Sequence, residues 1–130
     1  MQKNVFGEPL ELCGLDPVTG YFRDGFTTTD ESDYGSHTVC AVVSAEFLEH
    51  QKSVGNDLST PAPQFGFAGL KPGDRWAVCA PRWQQALEDG AACGVVLAAT
   101  NEAALEYINS EDLIAHSVDV PPDLSELTES

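Results

Sequence analysis

A chain of 130 residues, 42% of them hydrophobic, is of single-domain size and can bury a core, which excludes a disordered chain. Twenty-one acidic residues against six basic ones leave a formal net charge of -15; such a field repels phosphate backbones and anionic lipid, so nucleic acid and membrane surfaces are excluded as partners. No apolar run approaches the roughly 20 residues of a membrane helix.

Self-repulsion on this scale is tolerable where salt screens it, so the charge favours a halophilic setting. The opening Met1-Gln2-Lys3-Asn4-Val5 lacks the apolar stretch of a signal peptide. A cytoplasmic protein is therefore expected, with its four cysteines present as thiols rather than disulfides.

The first third is rich in turn signals, at Asp16-Pro17, Thr19-Gly20 and Asp24-Gly25. Val5-Phe6 and Tyr21-Phe22 are short apolar pieces, suited to edge strands or packing pegs. Asp30-Glu31-Ser32-Asp33 reads as a solvated acidic loop. From Thr38 to Val43 a β-branched apolar run predicts a strand buried on both faces. Ser44 then caps a helix whose inward stripe is Phe47, Leu48 and Val54 and whose end is Gly55.

After an irregular stretch, Lys71-Pro72-Gly73-Asp74 predicts a type II turn into a second buried strand, Arg75 to Ala80. Pro81 opens a helix that buries Trp83, Ala86 and Leu87 and ends at Gly90. Gly94 to Ala99 is a third strand, and Thr100 caps a helix burying Ala104, Leu105 and Ile108. A turn from Ser110 to Leu113 and a last strand from Ser117 to Val120 follow. The fold expected is α+β, a two-layer sandwich with a small mixed sheet and helices on one face. It forms a single domain over residues 1–120, with an acidic, mobile tail at 121–130.

Val-Cys-Ala occurs twice, at Val39–Ala41 and Val78–Ala80. Each copy lies at or near a strand end before a helix, which suggests two equivalent turns that bring Cys40 and Cys79 close together. His37 and Cys40, three apart in an extended segment, point to opposite faces and share a ligand only if the chain bends. Cys79 precedes a helix N-terminus, where a thiol gains reactivity, while the flanking Val78 and Ala80 predict burial, which opposes it. Zinc could be offered Cys13, His37, Cys40 and Cys79, but no pair among them has finger spacing, and neither a metal nor a cofactor is assigned.

Four blocks carry a resemblance: Asp16-Pro17-Val18-Thr19-Gly20-Tyr21-Phe22-Arg23-Asp24-Gly25, then Gly35 to Ala41, Gly55 to Pro61 and Gly69 to Trp76. Together they resemble domain-of-unknown-function family 2237, an uncharacterised and mainly bacterial family, over about Asn4 to Val120. The resemblance implies a compact α+β fold and no established activity. It also carries departures. Phe26-Thr27 and Ala77 stand where relatives have cysteines, and Asn101 where they have a histidine. A metal or redox centre in relatives would thus be largely lost here.

The sequence favours a non-catalytic domain that binds a small molecule or a protein. Its candidate site joins Asn56, Asp57 and Thr60, past the first helix, to Arg75 and Trp76. Asp57 is expected to pair with Arg75, because cations are scarce and arginine holds carboxylates bidentately. The plainer reading of Asn56 to Thr60 is a helix end followed by turns that satisfy the backbone. The alternative function is a thiol-dependent enzyme with Cys79 or Cys40 as nucleophile and His37 as base.

Overall fold

The computed structural model describes residues 2–15, 18–65 and 67–119. The turn expected at Asp16-Pro17, the end of the last strand at Val120 and the tail lie outside them.

A three-stranded sheet forms the centre, in the order β2-β1-β3. β1 is Val39–Val42, β2 Arg75–Val78 and β3 Gly94–Val95. Both ladders are antiparallel, with Val39 opposite Val78, Cys40 opposite Ala77 and Ala41 opposite Val95. One isolated parallel bridge, Val95 to Ser117, extends the β3 edge. The α+β architecture is as the sequence pattern predicts.

Strand alternation sorts side chains onto two faces. Val39, Ala41, Trp76, Val78 and Val95 form the main core with Phe47 and Leu48 of helix α1 (Ala45–Ser53), Trp83 and Ala86 of α2 (Ala80–Glu88) and Leu113 of α3 (Ser110–Ala115). Cys40 faces the other way, into a small cluster with Cys13, Val96 and Ala99. The helices thus cover one face of the sheet, and the irregular N-terminal segment reaches the other at Cys13.

Local chemistry accounts for the elements. Ser44 accepts a hydrogen bond from the Phe47 N–H at 3.1 Å and starts α1. Pro81, in the first turn of α2, has a missing N–H that costs nothing there. Gly73, with φ +96°, completes the turn before β2, which the Asp74 N–H closes on the Lys71 carbonyl.

The third strand is shorter than its apolar run predicts. It ends at Val95, and Leu97–Ala99 coil into a 3₁₀ turn, held by the Asp119 carboxylate, which accepts the N–H groups of Leu97 and Ala98. Thr100 does not cap the next helical turn. Its hydroxyl donates to the Val96 carbonyl and accepts from the Cys40 N–H. Asn101 caps Glu102–Glu106 instead, a 3₁₀ segment where an α-helix is expected.

The expectation of four free thiols is overturned. Cys13 and Cys40 form a disulfide, with Cα atoms 5.7 Å apart. The two Val-Cys-Ala copies are therefore inequivalent. The first lies on β1 and the second runs from the end of β2 into α2; the antiparallel register sets Cys40 against Ala77, and its sulfur is bonded to Cys13. A buried disulfide also removes the cysteine-based argument for a reducing compartment. Among the described residues, no helix is long and apolar enough to cross a membrane.

The bond ties residues 27 apart in sequence. A cross-link of that span restricts the unfolded chain enough to stabilise the fold by about 3 kcal/mol. Cys13→Ala/Cys40→Ala should lose about that much in urea denaturation at equilibrium. A variant as stable as the oxidised wild type would contradict the assignment.

Candidate functional site

The loop from Asp30 to Thr38 is where the structure departs furthest from the sequence pattern. Asp33 is buried in it rather than solvated. One of its carboxylate oxygens accepts the His37 N–H at 2.8 Å and the Thr29 hydroxyl at 2.9 Å. The other lies 2.6 Å from His37 Nδ1. These bonds fold four residues into a tight turn that fixes the imidazole on its own backbone.

The far side of the ring meets a thiol. His37 Nε2 is 3.3 Å from Cys79 Sγ. Two backbone features allow the approach. Ser36 lies in the left-handed region at φ 52°, a conformation that costs a non-glycine residue of order 1–3 kcal/mol. That geometry turns its carbonyl to accept the Ala80 N–H at 2.9 Å, which docks the loop on the start of α2. At Gly35 a Cβ would stand 3.0 Å from Cys79 Sγ and 3.1 Å from His37 Cε1, so a side chain would crowd sulfur and ring alike.

Cys79 is the N-cap of α2 and is half-buried. The Cys79 sulfur raises His37 from 6.5 to about 9, against the effect of burial and with further help from Asp33. The ring is therefore an imidazolium at neutral pH, hydrogen-bonded on both nitrogens. Cys93, the other free thiol, is buried, and burial pushes it up to about 12. It stays protonated and inert.

A cleft of about 310 Å³ opens beside His37, lined by Arg23, Leu58, Ala62, Phe67 and Trp76. A recess of about 40 Å³ shares His37, Leu58 and Trp76 with it and leads to Asn56 and Cys79. Tyr21 stacks at a tilt on the imidazole, with centroids 5.6 Å apart. A larger hollow, of about 610 Å³, runs between Gln2 and Glu106. Neither a cysteine nor a histidine lines it.

His37, Asn56, Trp76 and Cys79, four residues singled out in the sequence, meet around this recess. The others do not. Cys40 is spent on Cys13 and cannot be the nucleophile. Asp57 makes no ion pair with Arg75. Its carboxylate is exposed and caps its own turn, accepting the Thr60 hydroxyl at 2.6 Å and the Ser59 and Thr60 N–H groups. The Thr60 hydroxyl, then the Ser59 N–H, hold it down to about 2. Thr60 and Arg75 are exposed outside the cleft. The zinc set is split by the same disulfide, and among the described residues no group of three or more His, Cys, Asp and Glu side chains is arranged to hold a metal ion.

Sequence reasoning missed Asp33, Arg23, Leu58 and Phe67. For Asp33 a signal existed: an aspartate four residues before a histidine, with a glycine between, can turn back on it. For Arg23 and Phe67 none existed, because their meeting at Trp76 is tertiary.

The fold and site together define an α+β protein with an Asp–His–Cys constellation at the mouth of a cleft. The chain belongs to the DUF2237 family, described as uncharacterized and conserved in bacteria, whose pattern it matches over residues 3–117. No curated protein matches it.

The folded state binds the His37 proton more tightly than the unfolded chain does. The stabilisation this supplies is complete below pH 6.5, and it is lost as the pH rises through about 9. Across that window the wild type should lose stability relative to His37→Gln, measured as urea midpoints at matched ionic strength. Parallel curves for the two proteins would contradict the assignment.

Proposed function

We propose that the protein is a thiol-dependent enzyme of the acyl-transfer class, with Cys79 as nucleophile, His37 as acid and base, and Asp33 as the group that orients His37. One observation carries the reading: His37 spans Asp33 at 2.6 Å and Cys79 at 3.3 Å, with one ring nitrogen on each. A nucleophile, a base and a third group orienting the base are the parts that nucleophilic catalysis needs. The non-catalytic binding domain favoured by the sequence leaves this arrangement, and the strained Ser36 beside it, without a use.

The cycle conserves atoms. The Cys79 thiolate attacks a carbonyl carbon in the recess and forms a C–S bond. The bond to the leaving group breaks as that group takes the proton from the His37 imidazolium. Water then attacks the thioester, giving its proton to His37. The acid departs and the thiolate–imidazolium pair is restored. Asn56 serves the developing oxyanion: one amide hydrogen donates to Gln51 Oε1 at 2.7 Å, leaving the second for the substrate. Asp33 holds the ring's orientation.

p-Nitrophenyl acetate tests the chemistry without knowledge of the natural substrate. The wild type should release one equivalent of p-nitrophenolate in a burst, and Cys79→Ala none. His37→Gln should slow acylation by about 10²–10⁴-fold, the range for loss of a general acid–base. A burst that survives in Cys79→Ala, or a rate unchanged in His37→Gln, would refute the reading.

A further inference from the structure

We infer that the cleft beside Cys79 selects a substrate that bears a carboxylate several bonds from its reacting carbon, with Arg23 receiving the carboxylate and Trp76 the apolar body between. This deepens the acyl-transfer reading and rests on it for the identity of the reacting group, though not for the recognition of the anion.

Arg23 lines the cleft with its guanidinium 5.0 Å from the centre of the Trp76 ring. Of its five N–H donors, one atom is engaged, Nη1 on the Gly20 carbonyl at 2.7 Å. It makes no ion pair with any carboxylate among the described residues. Its neighbour Asp24 is turned to other work, accepting the Phe26 N–H and the Thr28 hydroxyl. Of the Lys and Arg side chains only Lys71 is ion-paired among the described residues, and Arg23 is the one that lines this cleft. The backbone holds it there at a cost, since Arg23 has φ 54°, in the left-handed region.

Apart from His37, whose ring nitrogens are taken by Asp33 and Cys79, the rest of the wall is apolar: Leu58, Ala62, Phe67 and Trp76, with Phe67 and Trp76 rings 5.3 Å apart. One guanidinium with free donors above mainly apolar walls suits a monoanion. A phosphate dianion would call for more donors than one guanidinium, against the repulsion of the acidic surface. Because the cleft and the recess share His37, Leu58 and Trp76, an extended ligand held by Arg23 lays its other end towards Cys79.

Matched probes, 3-phenylpropanoate and 3-phenylpropanamide, differ only in the charge. Each is titrated into the wild type, Arg23→Gln and Arg23→Lys, and followed by the two tryptophan indole N–H resonances. Trp83 donates its N–H to the Cys93 carbonyl in the core, so it serves as the internal control for folding. The carboxylate should shift Trp76 and leave Trp83 still, binding at least tenfold more tightly than the amide. Arg23→Gln should abolish that preference and Arg23→Lys should restore part of it. Equal binding of the two probes to the wild type, no binding of either, or a preference unchanged in Arg23→Gln would overturn the inference. The rate at which iodoacetamide alkylates Cys79 is read on the same samples. A slow, unpaired thiol there would count against the acyl-transfer reading, while the indole shifts still decide the recognition of the anion.

Discussion

The bond between Cys13 and Cys40 is the constraint on which the rest depends. Among its described residues the segment it closes contains no regular element up to β1, yet it carries Arg23, Asp33 and His37. Without a helix or ladder to fix such a segment, its position rests on a few anchors, each of which must outweigh the entropy of ordering the chain. The disulfide is one. Another is the buried Thr19 hydroxyl, which accepts the Ala77 N–H at 2.7 Å and seats the segment on β2. A third is Thr27, whose hydroxyl donates to the Ala99 carbonyl. Gly20 fits between them because its φ of 104° and the Phe26 carbonyl beside it leave no room for a Cβ.

From this anchoring follows the site. β2 delivers Cys79 to the start of α2, and the stapled loop delivers His37 to the same point, so the contact joins two layers of the molecule. Asp33 sets the ring plane from within the loop, and Gln51, buried under α1, holds Asn56 on the opposite side of the recess. The charged groups are few and mutually satisfied. A buried carboxylate, an imidazolium and a sulfur in a row offset one another's desolvation, which an isolated charge could not do. Beside His37, the other positive charge that lines the cleft is Arg23.

Much of the scaffold was legible in the sequence, and the reason is periodicity. Ser44 with Phe47 and Leu48, Pro81 with Trp83 and Ala86, and Lys71-Pro72-Gly73-Asp74 each combine a local signal with an apolar spacing, and each forms the predicted element. The run from Gly94 to Ala99 is the instructive failure, because apolar content alone does not distinguish a strand from a 3₁₀ turn capped by a distant carboxylate such as Asp119. In the site, Cys79 was joined to His37 only as an alternative, with Cys40 an equal candidate, since spacing does not reveal a contact that spans 42 residues. The pairing of Asp57 with Arg75 was argued from the scarcity of cations, and nearer partners prevailed: four hydrogen bonds within one turn cost less order than an ion pair between exposed side chains. The disulfide was missed because cysteine spacing carries no information about which sulfurs a fold brings together.

The central claim is that the Cys79 contact holds the proton on His37, and the imidazole reports it directly. Its ring proton resonances, followed against pH in the wild type and in Cys79→Ala, measure that effect with no substrate present. The account predicts a midpoint near 9 in the wild type that falls clearly towards 6.5 once the sulfur is removed, because the Cys79 contact is the largest cause of the rise. A midpoint that does not move on loss of the thiol would contradict it.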